Sequence, residues 1–219
     1  MCGIIGYTGS EDVKGVLLDA LELLEYRGYD SAGIALADTG LKQTKVYKCA
    51  GRVKDLRVIC ESEKLITECG IGHTRWATHG GVNDTNAHPH QVGKVTLVHN
   101  GIIENYRELI ADYELESVLK SETDSEVVAA LLNKFYTGDP DEAIKKTVSK
   151  LKGTFALVIL FEDHQGEIYS VRNVSPIVAT LCKEGAMLAS DLTALCRFTN
   201  RYFVVPEYHI LKLAKDAIV

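Results

Sequence analysis

The stretch GTFALVILFEDHQGEIYSVRNVSPIVATLCKEGAMLAS, residues 153–190, decides the fold class. From Gly153 onward the chain is β-rich. Strands are predicted at Thr154–Phe161, Glu167–Arg172, Ile177–Cys182 and Met187–Ser190. Another follows at Tyr202–Val205, after a short helix over Asp191–Phe198.

Two helices stand immediately before this run. Thr123, with Glu126 three residues on, reads as a capping box ahead of Val127, Ala130 and Leu131. Asp139, Pro140 and Glu142 supply N-cap, first helical position and N3 ahead of Ile144 and Val148. Nearer the N-terminus a helix is predicted over Val13–Tyr26. Its start is signalled by Ser10, Glu11 and Asp12, and Val13, Leu17, Leu21 and Leu24 share one face. Gly3–Tyr7, Ile34–Ala37, Thr44–Cys49, Ile71–His73 and Thr96–His99 read as strands, and Asn105–Tyr113 as a short helix. Strands come in runs and helices in pairs, without βαβα alternation. That order favours an α+β architecture with antiparallel sheets. No repeat, linker or shift of composition divides the chain, so one domain is expected over 1–219.

Composition narrows the class. A chain of 219 residues that is 46% hydrophobic supports a sizeable core, and a net charge of −6 argues against nucleic acid or an anionic membrane as partner. The start, MCGIIGYTGSEDVKG, lacks the basic and apolar regions of a secretory signal, and the longest apolar run, Phe155–Phe161, is too short for a bilayer. The six cysteines include no Cys-x-x-Cys pair. They read as reduced thiols of a cytoplasmic protein, with no structural zinc.

One cysteine is placed differently. Cys2 directly follows Met1, and removal of Met before a small residue would make it the mature terminus, with an ordered strand starting at once. Such a residue carries a thiol and an α-amino group of pKa ~8, so nucleophile and base come from one residue. Between Gly72 and Gly101 lie GHTRWATHGG, NAHPH and HNG, with five of the seven histidines. His79, His88, His90 and His99 as metal ligands form one reading, although no His-Glu-x-x-His spacing occurs. Arg75 and Trp76 are either part of a solvated loop or a clasp over a carboxylate, hinged at Gly80–Gly81. Asn100-Gly101 is either a turn or an oxyanion hole made of a side-chain amide and a backbone N–H. Asp124 either suits the first turn of its helix or pairs with a substrate ammonium.

Together these blocks resemble the glutaminase domain of class II (N-terminal nucleophile) glutamine amidotransferases. The residues that carry the resemblance are MCGIIGYTG (1–9), LEYRGYDSAGIA (24–35), GHTRWATHG (72–80), NAHPH (86–90), VHNGIIENY (98–106) and SETDSE (121–126). KGTFALVI (152–159) and ASD (189–191) match more weakly. Cys2-Gly3, Arg27-Gly28 and Asn100-Gly101 fit the class as a whole. YRGYDSAGIA and TRWATHG are similar to its hexosamine-forming branch.

The resemblance implies a four-layer αββα sandwich of two antiparallel sheets, of the Ntn-hydrolase type. It implies hydrolysis of free L-glutamine with no cofactor and no metal. Cys2 would be the nucleophile, Asn100 and Gly101 the oxyanion hole, Arg75 the partner of the substrate carboxylate and Asp124 that of its ammonium. Trp76, Thr78 and His79 would lie on a loop that closes over glutamine. Arg27 and His88 would support the site. The family enzyme continues into a sugar-phosphate isomerase module that binds fructose 6-phosphate and dimerises. The chain therefore reads as an excised first part, with a stand-alone amidohydrolase, the glutaminase domain of another class II enzyme or an inactive binding module as alternatives. One departure is local: Asn173-Val174 precedes Ser-Pro where the family more often has glycine.

Overall fold

The computed structural model describes residues 2–62, 65–77 and 80–219. The first half of the chain forms β1 (Gly3–Gly9), α1 (Val13–Leu24), β2 (Ser31–Asp38), β3 (Gln43–Ala50), α2 (Val53–Cys60), β4 (Thr67–Arg75), β5 (His90–Val92) and β6 (Val95–Ile103). The second half forms α3 (Tyr106–Tyr113), α4 (Asp124–Phe135), α5 (Pro140–Val148), β7 (Gly153–Phe161), β8 (Ile168–Asn173), β9 (Val178–Cys182), β10 (Gly185–Ala189), β11 (Phe203–Val204), β12 (Leu211–Ala214) and β13 (Ala217–Ile218).

These strands make two antiparallel sheets, ordered β11-β9-β10-β1-β4-β2-β3 and β13-β12-β8-β7-β6-β5. The run FALVILF shows why they stack. Phe155, Leu157, Ile159 and Phe161 join the core under α3, α4 and α5, while Ala156, Val158 and Leu160 face the other sheet. A strand apolar on both faces needs a cover on both faces, which is why the sequence runs continuously hydrophobic where a half-exposed strand would alternate. In the first sheet Ile5 and Tyr7 of β1 meet α1, whereas Ile4 joins Ala35, Ile71, Val98 and Val158 between the sheets. The layers are thus α1 and α2, first sheet, second sheet, and α3–α5. The architecture is α+β, as the order of elements indicates.

Local chemistry departs from the sequence reading in a few places. Asp12 and not Ser10 is the N-cap of α1, and Ser10 bonds Glu184 instead. Thr123 does cap α4 by accepting Glu126 N–H, but the Glu126 carboxylate turns to Lys120 N–H and Ser121 N–H, so the box is not closed reciprocally. Asp191–Phe198 is reduced to a single 3-10 turn at Leu192–Ala194. Helix α2 was not anticipated, although Val53, Leu56 and Cys60 are buried at helical spacing. Asn100-Gly101 is no turn: β6 runs through it, paired residue by residue with β7 from Val95 to Ile103. Cys49, Cys60 and Cys69 are buried, Cys182 is half-buried and Cys196 is exposed. Among the described residues no helix is long and apolar enough to cross a membrane.

The Asn173-Val174 departure has a visible cost. Ser175 N–H donates to Asn173 O at 2.8 Å, closing a three-residue turn with Val174 at φ 66°. That is the strained form of the γ-turn, and a β-branched side chain is the worst occupant of that φ. Val174→Gly should therefore raise stability by about 1 kcal/mol, the left-handed penalty of ~1–2 kcal/mol less the added freedom of glycine in the unfolded chain. Urea unfolding at constant m-value measures it, and a lowered midpoint would contradict the account.

Candidate active site

Antiparallel pairing of β1 with β4 sets Gly3 opposite Thr74, so the start of one strand and the end of the other share a rim of the first sheet. Cys2 and Arg75 are therefore neighbours by topology. The thiol is framed by one residue: Trp76 N–H donates to Cys2 Sγ at 3.2 Å, and Sγ donates to Trp76 O at 3.5 Å. This close approach depends on Gly28, where a Cβ would lie 2.7 Å from Trp76 N and from the Arg75 carbonyl carbon. Burial pushes the Cys2 thiol up from its ordinary range, while the Trp76 N–H and the charges of Arg75 and Arg27 pull it down. Desolvation wins, and the resting sulfur is a thiol.

The Cys2 carbonyl is held from two sides. Arg27 Nε–H donates to it at 3.1 Å, and Asn100 Nδ2–H at 3.0 Å. Arg27 is itself fixed through Nη1 to Asp191 at 2.9 Å. Asn100 reaches across from the second sheet, where β5 covers β6 only from Val95 to Leu97. Beyond that point the free edge of β6 donates to side chains. His99 N–H goes to His88 Nδ1 at 3.3 Å, and Ile103 N–H goes to Asp124 Oδ2 at 2.8 Å. Backbone N–H groups alternate between the two edges of a strand, so Gly101 N–H faces this same edge, between those two. Gly101 has φ 135°, and a Cβ there would sit 2.0 Å from Thr154 O. Only glycine fits.

Arg75 is buried, and its guanidinium donates to the carbonyls of Gly81 (3.2 Å) and Gly80 (3.5 Å). Asn86 stitches this segment to the turn before α4: its Nδ2 donates to Gly81 O and Glu122 Oε2, and its Oδ1 accepts Glu122 N–H. Asp124, at the first position of α4, is also buried. Ala77 N–H is anchored on Asp30 at 2.9 Å. Trp76 is half exposed, edge-on to Tyr29 at 6.2 Å.

Beneath this rim lies a column of histidines. His73 stacks on His88 with ring centroids 4.1 Å apart, and His90 meets His88 edge-on at 4.7 Å. His90 Nε2 and Thr123 Oγ1 share a hydrogen bond at 3.0 Å, as do His99 Nδ1 and Ser125 Oγ at 2.8 Å. Burial drives His73 down to about 3 and holds His88 and His90 well below the ordinary histidine range, so these three are neutral. Among the described residues no group of three or more His, Cys, Asp or Glu side chains is placed to hold a metal ion. One ring nitrogen each of His88, His90 and His99 is engaged as above.

One cavity of about 340 Å³ is lined by Cys2, Arg27, Arg75, Trp76, His88, Asn100, Gly101 and Asp124 together. These are all the site residues that the resemblance implies except Thr78 and His79, which, like Met1, lie outside the described residues. His99, weighed in the sequence only as a metal ligand, lines it too, as do His73, Ser125, Ser175 and Pro176, which were not singled out. For His73 a signal was available: Arg75 on a strand implies that residue 73 shares its face.

Comparison with known proteins agrees with the geometry. The pattern of a glutamine amidotransferase domain matches residues 73–197. Proteins named glutamine–fructose-6-phosphate aminotransferase (isomerizing) are 43% identical to the chain in Bacillus subtilis and 46% identical in Geobacillus kaustophilus. The alignments take in all of this chain but 37% and 36% of those proteins. The chain thus spans a little over a third of the length of the curated relatives it matches. Among solved structures, the glutamine phosphoribosylpyrophosphate amidotransferase of B. subtilis superposes with a TM-score of 0.83 at 24% identity, over 100% of this chain and 48% of that one. A structure described as the allosteric regulatory enzyme of purine biosynthesis gives 0.85 at 25% identity, over 99% and 48%. The likeness in fold is to amidotransferases of the Ntn-hydrolase type. A thiol, a paired amide and backbone N–H, and a buried guanidinium and carboxylate around one cavity are thus set in a chain that belongs to the glutamine amidotransferase domain family.

Proposed function

We propose that the chain is a glutaminase domain, hydrolysing the side-chain amide of free L-glutamine to glutamate and ammonia. The observation that carries this reading is the cavity itself, where Cys2, just ahead of β1, converges with Asn100 and Gly101 of β6, Arg75 of β4 and Asp124 of α4.

Removal of Met1 frees the α-amino group of Cys2, whose pKa of ~8 leaves a useful neutral fraction at physiological pH. The amine takes the thiol proton as sulfur attacks the amide carbon. The carbonyl electron pair moves onto oxygen, which Asn100 Nδ2–H and Gly101 N–H receive. Collapse breaks the C–N bond, and the protonated amine passes its proton to the leaving nitrogen, releasing ammonia. Water, activated by the same amine, then cleaves the γ-glutamyl thioester, giving glutamate and restoring the thiol. Arg75 takes the substrate α-carboxylate and Asp124 the α-ammonium, which selects the free amino acid over a glutamine within a peptide. Arg27 steadies the nucleophile through its carbonyl, His88 supports β6, and closing over glutamine is the role proposed for Trp76, Thr78 and His79.

We further propose that this domain serves a longer cytoplasmic enzyme of the glutamine–fructose-6-phosphate aminotransferase type for which its relatives are named. There a C-terminal isomerase module, joined in a homodimer or larger assembly, uses the ammonia to convert fructose 6-phosphate to glucosamine 6-phosphate.

Intact mass with and without a glutamine-analogue electrophile tests the first step. The expected spectrum lacks Met1 and gains one adduct on Cys2, while Cys2→Ala takes no label and turns over no glutamine. Normal turnover by Cys2→Ala, or preference for asparagine, would overturn the reading. Asn100→Ala should lower kcat about 100-fold while the protein stays folded. Arg75→Lys, which loses the two-pronged hold on a carboxylate, should raise KM for glutamine by about tenfold with a smaller change in kcat.

A further inference from the structure

Asn100 has a carboxamide with a donor end and an acceptor end, and the oxyanion role assigned above needs the donor end at the cavity. A β-strand side chain fixes neither, because a half-turn about the last bond exchanges the two at little cost. The surroundings decide. At one end lies the Cys2 carbonyl, 3.0 Å from Asn100 Nδ2, an acceptor that tolerates only N–H. At the other end lies His73 Nε2, 3.1 Å from Asn100 Oδ1 and 3.1 Å from the His99 carbonyl. Two oxygens at one ring nitrogen require that nitrogen to carry the proton. Nδ1 of His73 is then a bare acceptor, buried and with no hydrogen-bond partner among the described residues. An unpartnered buried nitrogen costs stability, so the ring's use lies on its Nε2 side.

We infer that His73 is a positioning residue, whose Nε2–H holds the Asn100 carboxamide with its NH2 end toward Cys2 and the cavity. One of the two Nδ2 hydrogens is engaged by the Cys2 carbonyl, and the second serves the cavity that Asn100 lines. The stack on His88 keeps the ring plane in place, and burial keeps it neutral, so the donor does not change with pH in the working range. What the positioned amide then does rests on the glutaminase reading; that His73 positions it does not.

The test pairs His73→Leu, which removes the donor, with His73→Gln, whose side-chain N–H falls near the place of Nε2. Nuclear magnetic resonance of the full chain, with the Asn100 side-chain amide assigned by its loss in Asn100→Ala, reads the geometry without turnover. The Asn100 NH2 pair should shift and exchange with solvent at least tenfold faster in His73→Leu, and stay near wild type in His73→Gln. In glutamine hydrolysis, His73→Leu should lose 10- to 100-fold in kcat with KM within about twofold, and His73→Gln should recover most of it. In an Asn100→Ala background the same change should cost less than threefold, because the two act as one unit. An unmoved NH2 pair, or an equal loss of kcat with and without Asn100, would overturn the inference. A wild-type chain that turned over no glutamine would instead strike the proposed function and leave the resonance result to stand or fall alone.

Discussion

The carbonyl oxygen of Cys2 accepts a hydrogen bond from Arg27 on one side and from Asn100 on the other. The first donor belongs to the layer of α1, the second to the opposite sheet, so a residue next to the chain terminus is tied to both halves of the molecule. Terminal residues fray unless they are held in this way. Much of the surrounding structure serves those two donors. Asp191 fixes Arg27, His73 fixes Asn100, and Gly28 lets the backbone of Arg75 and Trp76 come close enough to frame the sulfur.

The arrangement works because β6 outruns β5. Had β5 continued, a neighbouring strand would have claimed the N–H groups of His99, Gly101 and Ile103. Instead two of them end on His88 and Asp124, and the third faces the cavity between those side chains. A sheet edge is usually a liability that must be covered. Here it is covered by chemistry, with an imidazole, a carboxylate and a space for a ligand in place of another strand. The neutral histidines beneath it supply polar contacts without placing a charge in the space between the sheets.

Much of this was legible in the residues. FALVILF announced a strand, and Thr123 and Asp139 marked their helix starts. Cys2, Arg75, Asn100, Gly101 and Asp124 were singled out, and the structure brings them to one cavity. The rest was hidden for physical reasons. Asn-Gly is a turn in isolation, but nine residues of pairing with β7 override that preference. The Glu126 carboxylate had the spacing of a capping box, yet two backbone N–H groups in the preceding turn were better placed to claim it. His73 was passed over because a histidine's use depends on which nitrogen carries the proton, and that is settled by neighbours far away in sequence. Helix α2 had the right spacing, but only three buried side chains announced it.

The order of strands carries a consequence for how the protein behaves in a crowded solution. A chain with this many continuous β runs is at risk of templating its own aggregation through unpaired edges. The first sheet ends in β11 and the second in β13, each two residues long, and the second sheet's other border is the three-residue β5. The one long border strand is β3, and it carries Lys45 and Lys48. The Lys48 ammonium reaches over to the carbonyls of Thr85, Ala87 and Pro89, drawing the 85–89 segment alongside. Two sheets rich in Val, Ile and Leu thus offer an incoming strand little room to add.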